Sequence, residues 1–553
     1  MRRLHTFWLP TALAATALSA QPADEAARPS PLVPTQSCLA AGETAAAEDE
    51  PAEAPPVLVD GLGFAGLEPD SDDAEARAWF AQGVRLVWAF DEVEAVRAFR
   101  EAQRRDPSCA LCFFGEAWAR SPTINLRGRA EELPAARAAA QRALALSGDL
   151  SERDLMLVQA MAIRTGEGEA FDQAGYARFV EAAARRLPED ATLAILAADA
   201  RMQVSDDMAP GSPSQRLLER VLERDPDHNG AIHFYIHLTD WIDRQYLAVP
   251  YAERLARIAP AASHLVHMPS HSFYGVGRYQ DAAAANVAAI AADRAYERDV
   301  RPPRSSYRWY LLRHNMHFAI NSALARGDGA TALDVAGQYR AEYLTDEPEA
   351  SARLLGSSVS YAAGLHGAPA ETLALGEPDD ALDRVFHHYA RGEALARQGE
   401  AAAVAVEAQA IARVRNGVDA PSLGAAGDAL AEIVQHVIEG RAAMLAGDHR
   451  QAAAAYRRAM SRQRAADFGN DPPLFWYSVR RSLAAALLAG GDAAGARRQL
   501  LASLRRWPND PLALYALSLA ERRRGDAEAA ERNLALARAG WAGDVTQVPL
   551  SRI

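Results

Sequence analysis

From about residue 71 to the end of the chain, apolar side chains recur every three to four positions, and clusters of β-branched residues are rare. Apolar residues at this period return to the same face of an α-helix, whereas a half-buried strand would alternate apolar and polar residues. The pattern therefore predicts an all-α protein from residue 71 onward.

A recurring turn sequence separates the predicted helices. It begins with glycine and leads into an alanine-rich helix, with copies at Gly277, Gly447, Gly491 and Gly525. The last two copies lie 34 residues apart (525 − 491), which is the period of a tetratricopeptide repeat (TPR). Each TPR is a pair of helices, A and B, that buries its apolar faces only by stacking on neighbouring repeats. The sequence thus predicts a TPR-like α-solenoid of stacked helical hairpins.

The N-terminal part of the chain departs from this pattern. Residues 1–20 have a positively charged start, a short apolar run and small residues at the end, which predicts a signal peptide. Residues 21–70 are rich in alanine, proline and glutamate, which predicts a disordered tether. The apolar run is too short to span a bilayer, so no integral membrane segment is expected in the mature chain. The expected location is periplasmic or secreted.

The helical part divides into three predicted regions. Residues 71–225 and 326–545 are predicted to be ordinary TPR-like repeats, and residues 226–325 are histidine-rich repeats. The formal net charge of −13 argues against nucleic acid as a partner, because a polyanion would be repelled. The sequence contains three cysteines, which cannot form a disulfide framework for a chain of 553 residues.

Histidines are concentrated in the middle region. Eight of the fourteen fall between residues 228 and 317, in three groups at successive predicted A-helices. Histidines three or four residues apart share one face of a helix. The groups are His228, His233 and His237, then His264, His267 and His271, then His314 and His317.

This arrangement predicts a metal site. A-helices of a TPR array line its concave groove, so three consecutive A-helices would direct their imidazoles into one cavity, and neutral imidazole is the commonest protein metal ligand. Asp240 is predicted as a further ligand or as a partner of an imidazole N–H. Pro269 predicts that its helix begins there or is kinked. The predicted ligands are His233, His237, His264, His267, His271, His314, His317 and Asp240.

The chemistry of the metal follows only partly from these ligands. Imidazoles suit several transition metals, and copper is preferred for an exported protein, with zinc or iron next. Met268 and Met316 adjoin the histidines, where methionine is either a copper ligand or core filler. Six or more imidazoles also permit two ions with about three ligands each. The catalytic residues are unknown, and the enzyme hypothesis is a copper- or iron-dependent oxidoreductase acting on a small molecule or a peptide modification.

An alternative hypothesis needs no metal. A single histidine pair on a helix is more often part of a surface or core than a ligand, and TPR grooves bind peptides. The protein would then be a scaffold whose groove binds a partner protein or peptide, with histidines as its polar lining. The aromatic and basic residues at 476–481 are predicted to begin a late A-helix, where they either bind a peptide in the groove or, as we expect, pack against a neighbouring repeat.

Cys109 and Cys112 form a Cys-x-x-Cys sequence at the start of a predicted helix. A helix N-terminus lowers the pKa of a thiol, which is typical of redox sites. The β-α-β context of a thioredoxin-like motif is missing, so we expect an incidental pair or a disulfide formed after export.

Six short segments carry a family resemblance, at residues 106–110, 122–125, 233–237, 264–271, 314–318 and 389–392. Together they resemble a widespread group of exported bacterial TPR proteins with histidine-rich A-helices, over about residues 79–481. The resemblance implies fold and export more than an activity. Relatives often carry Phe-Asn-His where this chain has Phe90-Asp91-Glu92, and glutamate in place of Asp240. If the lost histidine is a ligand in relatives, the resemblance implies either that Glu92 replaces it or that the site in this chain is altered.

Overall fold

The computed structural model describes residues 55–126, 129–204, 209–303, 306–345, 348–468 and 471–553. The predicted signal peptide and residues 21–54 of the predicted tether lie outside this part of the chain. The described residues form α-helices and short 3-10 helices, with no strand among them. None of the described helices combines the length and the apolar character needed to cross a membrane.

The α-helices are named here in chain order. They are α1 (Ala74–Trp88), α2 (Glu92–Arg105), α3 (Ala110–Ala119), α4 (Leu133–Ala145), α5 (Glu152–Thr165), α6 (Gln173–Arg186), α7 (Ala191–Val204), α8 (Pro213–Arg224), α9 (Asn229–Trp241), α10 (Val249–Ile258), α11 (Ser263–His267), α12 (Pro269–Gly275), α13 (Tyr279–Val300), α14 (Ser306–Arg326), α15 (Gly329–Tyr343), α16 (Ala350–His366), α17 (Pro369–Ala374), α18 (Ala381–Gln398), α19 (Ala401–Arg415), α20 (Gly424–Leu445), α21 (His449–Ala466), α22 (Val479–Ala489), α23 (Ala493–Leu504), α24 (Pro511–Arg523) and α25 (Ala527–Gly540).

Consecutive helices pack as hairpins, as in the pairs α1 and α2, α20 and α21, and α24 and α25. The turn sequence works as predicted. Gly447, Gly491 and Gly525 adopt positive φ after an A-helix, a backbone conformation that only glycine reaches without strain. The aspartate after each glycine caps the next helix, as Asp492 does by accepting a hydrogen bond from the Gly495 amide. The predicted all-α, TPR-like solenoid is confirmed.

The predicted boundary of the tether is wrong for residues 55–70. Leu62 and Leu67 are buried in the core around α1 and α9. The Phe64 amide donates to Asn229 Oδ1 over 3.1 Å, and the Val59 amide donates to Gln82 Oε1 over 2.7 Å. The composition suggested disorder, but apolar residues in this stretch are numerous enough to bury against the first repeats.

The C-terminal repeats pack back onto the central ones. Tyr279 donates through its hydroxyl to the Pro508 carbonyl over 3.1 Å, and Asn509 Nδ2 donates to the Val276 carbonyl over 3.0 Å. The Ala542 amide also donates to the Arg326 carbonyl over 2.7 Å. The array therefore folds onto itself rather than leaving its central repeats open.

The segment 471–478 lies in the groove of the array, between the central and the C-terminal repeats. Every residue of this segment is buried. Asn321 Nδ2 on α14 donates to the Pro473 carbonyl over 3.3 Å, and the Tyr361 hydroxyl on α16 donates to the Leu474 carbonyl over 3.0 Å. The predicted helix start at Trp476 is wrong, because α22 begins only at Val479. Two successive prolines before it disfavour helix and hold the segment extended.

Candidate metal centre

The histidines lie on four helices: α9, α11, α12 and α14. The helix is interrupted before Pro269, and α12 begins at this residue. A helix that begins at Pro269 is one of the two alternatives that the sequence predicted. The Met268 amide still bonds to the His264 carbonyl over 3.0 Å, so the chain changes direction without leaving the helical region. The two short helices thereby carry His264, His267 and His271 past one another at the centre of the fold.

Six histidines form two triads. The first triad is His233, His237 and His264, and the second triad is His267, His271 and His314. In each triad, one ring nitrogen from every residue lies within 4.8 Å of the other two. All six side chains are buried, with none more than 4% exposed.

The two triads adjoin. The ring centroids of His264 and His267, one from each triad, are 5.7 Å apart. Those of His237 and His271 are 6.1 Å apart. The structure therefore brings three A-helices of the histidine-rich region to one buried cluster of six imidazoles.

In the first triad, the protein backbone orients one ring. His233 Nδ1 lies 2.6 Å from the Trp88 carbonyl, which can only accept, so Nδ1 carries the proton. Its other nitrogen, Nε2, then presents a lone pair and lies 3.1 Å from His237 Nε2. Phe90 packs on this triad, with its ring centroid 4.3 Å from that of His233.

In the second triad, side chains orient two rings. His267 Nδ1 lies 2.7 Å from Asn286 Oδ1, and Asn286 Nδ2 donates to the Ala282 carbonyl, which fixes the amide orientation. His271 Nδ1 lies 3.2 Å from Asp471 Oδ1 and 3.5 Å from Asp240 Oδ2. Amide and carboxylate oxygens accept, so both Nδ1 atoms carry protons.

The inner nitrogens of these two rings, His267 Nε2 and His271 Nε2, are only 2.9 Å apart. When both rings are neutral and protonated on Nδ1, two lone pairs face each other at this distance. Such a contact is repulsive unless a cation lies between the nitrogens. The cation is either an extra proton or a metal ion.

The electrostatics of the cluster favour neutral rings. Burial lowers the pKa of His233 to about 3. His271 is the exception: burial lowers its pKa, but the Asp471 and Asp240 carboxylates outweigh burial and raise it. Neutral imidazole is the form that binds metal. The other four histidines of the triads have a pKa well below the usual value. Burial is the larger cause and the neighbouring imidazoles are the smaller one, in His237, His264, His267 and His314.

Two predicted ligands lie outside the triads. His317 is buried on α14, where Asn321 Nδ2 donates to its Nε2 over 3.0 Å, and the structure does not bring it to the other rings. His317 shares a face of α14 with His314, but its Nε2 is already occupied by the Asn321 amide within the same helix. Asp240 contacts the outer nitrogen of His271, Nδ1. Two roles were predicted for Asp240, and this contact corresponds to the second of them, a partner of an imidazole N–H.

Three groups that contact the triad histidines were not predicted from the sequence: the Trp88 carbonyl, Asn286 and Asp471. A buried asparagine in the alanine-rich helix α13 was a signal that could have been noticed. Asp471 follows His271 by 200 residues (471 − 271), and nothing local connects them. Met268 and Met316, both buried, belong to the hydrophobic cores.

Cys109 and Cys112 are joined by a disulfide and buried, in agreement with one of the two expected states. The Cys109 sulfur also lies 3.1 Å from the Cys112 amide, at the N-terminus of α3. The pair belongs to the core of the first repeats.

Glu92, the candidate replacement for a histidine, is not in either triad. It is buried at the start of α2, and burial raises the pKa of its carboxyl to about 8. The folded state therefore keeps a proton there between about pH 4.5 and 8, whereas the unfolded chain releases it. Because the folded state binds more protons in this window, stability falls as pH rises through it.

We expect Glu92→Gln, which is neutral at every pH, to flatten this decline by up to about 1.4 kcal/mol per pH unit. Urea unfolding of the wild type and the variant at several pH values between about 5 and 8 measures the two slopes. Glu68→Gln, at an exposed carboxylate, is the control and should follow the wild type. Equal slopes in the wild type and Glu92→Gln would mean that Glu92 is ionised in the folded protein.

Comparisons with known proteins show distant likeness only. No known protein family matches the chain, and no curated protein matches it. A structure of human IFIT1 dimer with m7Gppp-AAAA has 14% identity and a TM-score of 0.32, over 78% of this chain and 90% of the other. The Cut9–Hcn1 hetero-tetramer of APC/C has 11% identity and a TM-score of 0.28, over 88% and 77%. Naa15/Naa10 bound to HypK-THB has 13% identity and a TM-score of 0.22, over 86% and 90%.

Proposed function

We propose that this chain is an exported TPR-type metalloprotein that binds two transition-metal ions, one in each triad. The observation that carries the proposal is the 2.9 Å contact between His267 Nε2 and His271 Nε2. The outer nitrogens of both rings are committed to acceptors, so a cation is required between the inner ones, and the third imidazole beside them, from His314, favours a metal ion over an extra proton. The export part of the proposal depends on the predicted signal peptide.

The distances within the triads fit a metal. Four ligands around one ion, each about 2.0–2.1 Å from it, lie about 3.3 Å from one another in a tetrahedron. The closest inner pairs, 3.1 Å in the first triad and 2.9 Å in the second, are near this value. Acceptors on the outer Nδ1 atoms also match the usual surroundings of histidine ligands, where they fix ring orientation and raise ligand basicity.

Copper is the preferred ion, with zinc or iron next. Copper(II) binds nitrogen ligands more strongly than the other divalent metals of its row. Met268 and Met316 lie in the hydrophobic cores, so their thioether sulfurs give no reason to prefer copper(I). Asp471 contacts the outer Nδ1 of His271, so it supports a ligand of the second triad and does not change this order of preference.

Burial narrows the substrate of a redox enzyme at this site. A peptide or protein cannot touch imidazoles that are at most 4% exposed, so the small-molecule form of the oxidoreductase hypothesis is favoured. The metal-free scaffold hypothesis requires the histidines to line the groove and contact the partner, and buried imidazoles cannot do so. Its groove is also occupied, at the triads, by the chain's own segment 471–478.

The first test is the metal content of the wild type. We expect purified mature protein, dialysed after exposure to copper(II), to retain two copper ions per chain by elemental analysis. Zinc and iron(II), offered separately, establish the order of preference. A chain that retains no metal and takes up none on titration would contradict the proposal and leave the scaffold hypothesis.

A second test concerns Asp471, which contacts the second triad from outside. We expect Asp471→Asn to weaken binding of one of the two ions by about 10–100-fold, because the amide removes the charge that supports His271. Competition with a chelator measures the affinity. The matched control is Asp467→Asn, at a half-buried aspartate four residues earlier that pairs with Arg506. Equal affinities in both variants would mean that Asp471 has no role in binding.

A further inference from the structure

Each triad is in contact with one buried phenylalanine ring. Phe90 lies in the turn between α1 and α2, and its ring centroid is 4.3, 5.9 and 5.7 Å from those of the three imidazoles of the first triad. Phe318 lies on α14, with its centroid 5.5, 5.2 and 5.7 Å from those of the second triad. Two residues from distant parts of the chain therefore occupy the same place, one on each triad.

The backbone at Phe90 shows that this contact is more than core packing. Phe90 has a φ of 57°, a left-handed conformation that is unfavourable for a bulky side chain. Strain of this kind costs about 1–3 kcal/mol and is concentrated at functional sites. Glycine adopts positive φ in five other turns, at Gly277, Gly327, Gly447, Gly491 and Gly525.

The turn at Phe90 is the same turn as at these glycines. In all six, the amide of the residue with positive φ bonds to the carbonyl three residues earlier, and the next amide bonds to the carbonyl five residues before it. Phenylalanine thus replaces the usual glycine in the one of these turns where the side chain reaches the first triad.

The imidazoles of each triad surround one point. Their ring centroids are 4.9, 4.8 and 6.1 Å apart in the first triad, and 4.8, 4.8 and 6.0 Å apart in the second. The point equidistant from the three centroids lies about 3.1 Å from each of them in both triads. An ion that a ring nitrogen holds at about 2.0–2.1 Å is about this far from the ring centre, so it fits at this point.

The phenylalanine rings close one face of each triad. The centroid separations place each ring about 4.5 Å from the central point, on one side of the plane through the three imidazole centres. An oxygen ligand bound on that side, at about 2.0–2.2 Å from the ion, would lie within about 3 Å of the phenylalanine ring centre. Non-bonded heavy atoms need about 3.5–4.0 Å, so water cannot bind the ion from this face.

We propose that Phe90 and Phe318 exclude a further ligand from one face of each triad and thereby stabilise copper(I) relative to copper(II). The inference rests on the proposed function and adds the oxidation state that the site favours. Copper(II) is stabilised by additional ligands in a tetragonal arrangement, whereas three imidazoles satisfy copper(I). An apolar ring in the place of water also raises the reduction potential, because it leaves the more highly charged ion less solvated.

The test is the reduction potential of each ion in copper-loaded protein, measured by redox titration of the electron paramagnetic resonance signal of copper(II). We expect Phe90→Gly to shift the equilibrium of one ion at least tenfold towards copper(II), which lowers its potential by at least about 59 mV. Phe318→Ala should lower the potential of the other ion. Phe90→Gly restores the residue of the other turns and relieves strain, so it tests the inference even if Phe318→Ala does not fold.

Two variants serve as controls. Phe386→Ala removes a buried phenylalanine of α18 whose ring packs on Tyr361 at 5.7 Å, and both potentials should stay at the wild-type values. Phe318→Leu keeps an apolar side chain over the second triad without an aromatic ring, and its potentials should be within a tenfold shift of the wild type.

The outcomes separate the two proposals. A protein that retains no copper overturns the proposed function and this inference together. Two retained copper ions with wild-type potentials in Phe90→Gly and Phe318→Ala overturn the inference alone. A shift in Phe318→Leu as large as in Phe318→Ala also overturns it, because the aromatic ring and not the exclusion of a ligand would then set the potential.

Discussion

Replacing His237 and His264 by alanine is expected to remove one of two metal ions, and replacing His267 and His271 is expected to remove the other. Each pair supplies two of the three nitrogens of one triad, and a single remaining imidazole does not retain an ion against dialysis. The variant with all four changes should retain none. Elemental analysis of the copper-loaded proteins, with the wild type beside them, measures the stoichiometry.

The matched control removes a histidine pair outside the triads. His387→Ala/His388→Ala changes two adjacent histidines of α18, where His388 Nδ1 contacts Glu407 Oε2 at 2.7 Å. This variant should retain both ions. If either triad variant lost both ions, the six imidazoles would form one interdependent site; if neither lost an ion, the triads would not be the metal ligands. Circular dichroism establishes that each variant remains helical.

Arg441→Ala is expected to cost about 3–5 kcal/mol of stability, because it leaves a buried carboxylate without its partner. Arg441 is 1% exposed and its Nε lies 3.2 Å from Glu393 Oε1, which is equally buried. Its Nη1 also donates to the Ile553 carbonyl over 2.8 Å, so the change removes one of the hydrogen bonds that hold the last residue as well. Urea unfolding followed by circular dichroism measures the loss.

Two comparisons isolate the ion pair. Arg458→Ala breaks a pair with Glu439 in which Arg458 is half exposed, and should cost less than about 1 kcal/mol. Arg441→Met combined with Glu393→Leu removes both charges and should recover most of the stability lost in Arg441→Ala. A loss in Arg441→Ala no larger than in Arg458→Ala would mean that the buried pair adds nothing net.

Much of the fold could be predicted because its signals are local. The apolar period and the glycine turns act within one repeat, and the glycines at 447, 491 and 525 end helices as expected. The errors fall where packing between distant parts of the chain decides the structure. Residues 55–70 look disordered by composition but bury Leu62 and Leu67 on the repeats. Trp476 looks like a helix start but lies in the segment that fills the groove.

The candidate site divides in the same way. Spacing along the A-helices identified all six triad histidines, because residues three or four apart share a face and successive repeats place those faces side by side. Spacing could not assign His317, whose environment depends on Asn321 and on a segment more than a hundred residues later. It also could not separate ligands of one ion from ligands of the other.

The sequence by itself therefore determined the helical repeats and the histidines that face one another. Both follow from periodicity, which each stretch of chain carries without reference to the rest. Only the tertiary structure decided that the imidazoles form two triads, that they are buried, and that Asp471 lies against the outer nitrogen of His271 in one of them. These features arise because the C-terminal repeats fold back and insert residues 471–478 into the groove, and the free energy of that packing is shared among residues far apart in the chain.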